Sequence, residues 1–129
     1  MNSSNIRVLI LDLGSASRNE LVRQLEDHPH IKVVGQAAHR RQAIRLLQQL
    51  MPDLLILTLD ISSVDNVEIV ETIMATSAIP ILVMRFCPQN QWDDDYISRG
   101  ALAVLHHSSD SPLSTDALHR KVELLVGVK

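Results

Sequence analysis

Six histidines, one cysteine, a short run of aspartates and two neighbouring aromatics are the groups in this sequence whose chemistry could be put to use, and their spacing limits what they can do. His28 and His30 flank Pro29, a spacing compatible with a metal ion but without a third ligand close by, and a metal site needs several converging ligands. His106 and His107 are adjacent in an extended run, so their side chains point to opposite faces and cannot readily chelate one ion. No metal site and no cofactor are expected. Cys87 is the only thiol, so no internal disulfide can form, and it reads as a packed or idle group. Asp93-Asp94-Asp95 reads as charge at the start of a helix, favourable near the positive end of the helix dipole. Trp92 and Tyr96 stand four residues apart and share one helical face, either packed beneath a loop or offered as aromatic anchors to a partner. There is no glycine-rich phosphate loop and no Ser-His or Cys-His arrangement, so a free-standing enzyme is not expected.

The elements that must position these groups follow from the apolar pattern. Strand-length apolar runs occur at Ile6–Leu13, Ile31–Ala37, 54–59, 81–84 and Ala103–His106, rich in leucine and β-branched residues as strands covered on both faces require. Amphipathic segments lie between them. Ser17 and Glu20 have capping-box spacing ahead of Leu21, Val22 and Leu25. A second helix over 40–51 sets Ala43, Ile44, Leu47, Leu50 and Met51 in an apolar stripe and stops at Pro52. A third starts near Asp65, paired with Glu68, and buries Val67, Val70, Ile73 and Met74. A short fourth over 93–99 ends at Gly100, and a fifth over 114–126 turns Leu118, Val122 and Leu125 inward. Strands and helices alternating five times predict an α/β fold: a three-layer αβα sandwich around a five-stranded parallel sheet, joined by right-handed crossovers. Functional residues of such sheets sit just after the strands, at their carboxyl ends.

With 129 residues, nearly half of them apolar, the chain suits one domain over 1–129, with 1–5 as a flexible N-terminus. The first five residues lack the basic stretch and apolar core of a signal peptide, and no run is long enough to span a bilayer; a cytoplasmic location is the expectation. The formal net charge is −3, and basic residues are scattered apart from His39-Arg40-Arg41 and Arg45, which read as a solvated helix face. Binding to nucleic acid or to a membrane is therefore not expected.

Several of the loop and strand residues carry a family resemblance. Val8-Leu9-Ile10-Leu11-Asp12 resembles the opening strand of response regulator receiver domains, and Pro52-Asp53-Leu54-Leu55-Ile56-Leu57 resembles their third strand. Val64-Asp65-Asn66 resembles the Met-Asp-Gly that follows it, Pro80-Ile81-Leu82-Val83-Met84 the fourth strand, and Gly100-Ala101 the entry to the fifth. Within that CheY-like family, Ile31-Lys32-Val33-Val34-Gly35 and Ile73-Met74-Ala75-Thr76 look most like the receiver half of chemotaxis methylesterases. The resemblance implies the flavodoxin-like (β/α)5 fold and a place in two-component or chemotaxis signalling.

An active receiver needs a carboxylate nucleophile at the end of the third strand, acids on the first loop for magnesium, a hydroxyl after the fourth strand and a lysine after the fifth. Magnesium takes oxygen ligands, and metal and lysine together neutralise the phosphoryl group in transfer. By the resemblance, Thr58 stands at the nucleophile, Leu13 at the second acid, Arg85 at the switch hydroxyl, Val104 at the aromatic switch and His107 at the lysine; Asp12 alone is kept. The expectation is a degenerate pseudo-receiver with no catalytic residue, in which Arg85 lies near Asp12 and replaces the metal electrostatically. It would bind a signalling protein (a kinase, a methylesterase or another regulator) or a second copy of itself through the fourth helix, fifth strand and fifth helix, with Trp92 and Tyr96 as anchors. Two alternatives stay open. Asp60, two residues beyond Thr58 on the same side of the strand, would serve as phosphoacceptor in an atypical active receiver. The vestigial phosphate crevice would otherwise hold a small ligand.

Overall fold

A computed structural model describes residues 5–13, 18–60, 67–86, 93–106 and 113–127. Ten elements alternate along the chain: β1 (Ile6–Leu13), α1 (Arg18–Glu26), β2 (Ile31–Ala37), α2 (Arg40–Leu50), β3 (Leu54–Asp60), α3 (Val67–Thr76), β4 (Ile81–Phe86), α4 (Asp93–Ser98), β5 (Ala103–His106) and α5 (Thr115–Val126). All strand pairs are parallel, in the order β2-β1-β3-β4-β5. The chain winds outward from β1 in one direction and from β3 in the other, so the β1/β3 boundary is the switch point of the sheet.

Strand alternation divides the core into two halves. Leu9, Leu11, Leu55, Leu57, Ile81 and Val83 meet Leu47 of α2, Val70 and Ile73 of α3 and Tyr96 of α4 on one side of the sheet. Val8, Ile10, Leu54, Ile56, Leu82 and Met84 meet Leu21 and Leu25 of α1 and Leu118 and Val122 of α5 on the other. Because both faces are covered, β1, β3 and β4 read as continuous apolar runs rather than as alternating ones.

The strand boundaries follow the apolar runs, except that β3 continues to Asp60 and β4 to Phe86, where the two strands stay paired. In α2, His39 caps the start, its Nδ1 accepting from the Gln42 N–H at 3.2 Å. Met51 does not join the apolar stripe as the spacing predicts. Pro52 disfavours helical continuation at the residue before it, and Met51 turns into the left-handed region (φ 48°) with its side chain 75% exposed. In α3 the buried residues are Ile69, Val70 and Ile73, while Val67 and Met74 are only partly covered. Gly100 ends the α4 turn at φ +125°, as its position implied, and a Cβ there would lie 2.9 Å from Met74 Cγ. Ser114 caps α5, its Oγ accepting from the Ala117 N–H at 3.1 Å. The helix-start residues Ser17 and Asp65 lie outside the described residues.

Two histidines tie α1 to α5. His28 Nε2 lies 2.8 Å from Glu123 Oε2, its ring meets that of His119 edge-on at 4.9 Å, and His119 Nε2 donates to the Gln24 carbonyl at 2.6 Å.

Candidate functional site

The carboxyl ends of the central strands are brought level by the register. Asp12 of β1 pairs with Thr58 of β3, and Leu59 of β3 pairs with Arg85 of β4. These three are the buried polar or charged side chains among the described residues: Asp12 is 6% exposed, Thr58 fully buried and Arg85 9% exposed. Thr58 Oγ1 donates to Asp12 Oδ1 at 2.8 Å, joining the two strands across the switch point. A hydrogen bond to a carboxylate in a site shielded from water is worth more than one between neutral groups.

Arg85 belongs to the other strand parity. It shares the side of Ile81 and Val83, and its guanidinium carbon sits 5.9 Å from the centroid of the Tyr96 ring on α4. A cation over the face of a ring is attracted by the negative π-face, and more strongly when both are taken out of water. Tyr96 is only 3% exposed and packs in the core. As a surface anchor Tyr96 is therefore corrected: its ring is buried in the core because α4 turns it onto Arg85 and the sheet; the loop it was expected to lie beneath is outside the described residues. Every buried side-chain nitrogen and oxygen among the described residues has a hydrogen-bond partner.

Magnesium, which the family resemblance implies, needs several oxygen ligands. The residues at its place do not supply them: one oxygen of Asp12 already accepts the Thr58 hydroxyl, Thr58 offers no carboxylate, and Leu13 carries no donor. Among the described residues the donor set does not fit the ion. Val104 stands opposite Val83 on β5, half-buried against the core, and His106 stands opposite Arg85. Asp60 is the last residue of β3 and pairs in register with Phe86. Trp92, His107, Cys87 and the side chains of Leu13 and Asp60 lie outside what is described.

Sequence reasoning missed the apolar residues that remain outside. Ile97 on α4, Leu102 in the turn into β5 and Leu124 on α5 are large, exposed and apolar. Leu124 had a legible signal, since turning Val122 and Leu125 inward leaves Leu124 pointing outward at 100° per residue. At the opposite end of the sheet from Asp12, Leu102 also lines a shallow groove of about 240 Å³ with Met74, Ala78, Ile79, Pro80 and Gly100.

No family model matches the chain. Over 100 residues, 78% of its length, it is 34% identical to a protein-glutamate methylesterase/protein-glutamine glutaminase of Paramagnetospirillum magneticum, of which the match covers 28%. The chain spans only about a quarter of the length of the methylesterases it matches, 20% to 28% in the first of them. Among solved structures it is similar to the response regulator domain of Thermotoga maritima CheB, with a TM-score of 0.79 at 20% identity over 97% of this chain and 98% of that one. The receiver domain of the response regulator NarL from Mycobacterium tuberculosis gives a TM-score of 0.80 at 17% identity, covering 98% and 100%. Sheet order, switch-point geometry and relatives agree that the chain is a CheY-like receiver domain, similar in sequence to the receiver half of chemotaxis methylesterases.

Proposed function

We propose that this receiver domain is not switched by phosphorylation and acts as a protein-binding module in two-component or chemotaxis-type signalling. The observation that carries the reading is the Thr58–Asp12 hydrogen bond. A hydroxyl stands where a receiver needs its nucleophilic carboxylate, and it engages the acid that would otherwise hold magnesium. Arg85 is directed to Tyr96, and no buried polar side chain among the described residues is left unsatisfied.

The binding surface is the face made by α4, β5 and α5. Ile97, Leu102 and Leu124 supply apolar contact there, and Trp92, immediately before α4, adds the aromatic anchor. The partner is a signalling protein, such as a kinase, a methylesterase or another regulator, or a second copy of the chain.

Incubation with magnesium and acetyl phosphate tests the reading. Intact mass is expected to stay unchanged, and fluoroberyllate is expected not to bind. A stoichiometric phosphoryl adduct mapped to Asp60 would overturn it in favour of an atypical active receiver.

A further inference from the structure

The outward face of α2 belongs neither to the crevice nor to the α4–β5–α5 surface. Arg41, Arg45 and Gln48 follow at steps of four and three residues and form one exposed stripe, with Arg40 exposed beside it. The helix contains no acidic residue, and none of its arginines makes an ion pair with another described residue. In a chain of formal net charge −3 this is a local exception. Arg40 and Arg41 stand in the first turn, where the helix dipole opposes cations.

The other end of the same helix goes against a second local preference. Met51 holds a left-handed conformation that glycine adopts freely, and exposes three quarters of a large apolar side chain. Its backbone is firmly placed: the N–H donates to the Leu47 carbonyl at 3.0 Å, and its own carbonyl accepts from Arg7 Nη1 at 3.1 Å. Local stability is thus given up at both ends of one helix, in each case to display a side chain to the outside. Departures from local consistency of this kind are expected at functional positions.

We propose that this face of α2 docks an acidic segment of a partner protein. Carboxylates pair with Arg41 and Arg45, whose planar guanidinium groups bind them through parallel N–H donors, and an apolar side chain rests against Met51. A nucleic acid is the poorer complement. Affinity for a polyanion rises with the number of phosphates neutralised, and this stripe offers few cations on an acidic chain.

The probe is a short peptide of glutamate and leucine, compared with its lysine and leucine counterpart, titrated into the 15N-labelled full chain. Saturable amide shifts are expected over residues 39–51. Arg41→Glu/Arg45→Glu should weaken binding about tenfold or more and leave the melting temperature unchanged or raised, because glutamate at position 41 suits the first turn and position 45 is exposed. Met51→Gly should weaken it by a smaller factor while keeping the fold. If the charge-reversed variant does not fold, Arg41→Gln/Arg45→Gln removes the charge without reversing it and takes its place. The proposal is overturned by no binding at millimolar peptide, by shifts centred elsewhere, by undiminished affinity in the arginine variants, by equal binding of the lysine peptide, or by tighter binding of a single-stranded oligonucleotide.

Discussion

Replacing Thr58 with valine removes a single hydroxyl from the centre of the crevice while keeping a β-branched side chain of similar shape. In the native chain that hydroxyl donates to Asp12 at 2.8 Å between two buried residues. Valine leaves the acceptor in place and withdraws its donor, so the loss is that of a hydrogen bond to a carboxylate, about 1.5–3 kcal/mol. For 129 residues the unfolding entropy near the midpoint is ~0.27 kcal/mol per degree, so the melting temperature should fall by about 6–11 °C. A second measurement separates this bond from a generic packing defect. In an Asp12→Ala background, Thr58→Val should cost little, because the hydroxyl has already lost this acceptor, and chemical denaturation should show coupling of roughly the size of the single-mutant loss. Equal costs in both backgrounds, within about 0.5 kcal/mol, would refute the claim that this hydroxyl and this carboxylate are partners.

Two further outcomes follow from the same geometry. Arg85→Met and Tyr96→Leu should show a coupling of about 0.5–2 kcal/mol in a double-mutant cycle read by urea unfolding, because the guanidinium carbon and the ring are 5.9 Å apart and both residues are nine-tenths buried or more. Gly100→Ala should destabilise the domain by about 1–2 kcal/mol, since the position holds φ +125° and a Cβ would press on Met74 at 2.9 Å; an unchanged denaturation midpoint would contradict that.

The fold was legible because a sheet covered on both faces forces apolar residues into consecutive positions. The runs at β1, β3 and β4 could hardly serve another purpose, and proline and glycine punctuated the helices between them. The site was legible in its residues but less so in its contacts. The resemblance placed Asp12 and Thr58 at one end of the sheet but expected Arg85, not Thr58, beside Asp12; the register sets Thr58 opposite Asp12. Strand parity sends Arg85 to the α4 side, where it meets Tyr96, and a resemblance that assigns positions without side-chain directions does not reveal that contact. Tyr96 was ambiguous for a related reason. Four-residue spacing puts it on one helical face with Trp92 but does not say whether that face looks inward. Met51 was misplaced because apolar periodicity extends a helix past the point where the following proline ends it.

Why a polar pair stands buried at the ends of β1 and β3 is a question about energetics. A buried carboxylate with its donor is weak support for stability, because the desolvation of the charge offsets much of what the hydrogen bond returns, and apolar replacements of matched volume are often neutral or better. Leucine and valine could therefore stand at these two positions at little cost in stability. With both present at the switch point, each satisfies the other across the paired ends of β1 and β3. Breaking either partner alone is costly, while changing both together is not. On this argument the pair contributes register and definition of the strand ends more than net stability. The doubly apolar variant Asp12→Leu/Thr58→Val should then melt close to the native chain, yet exchange its amide protons faster at the ends of β1 and β3.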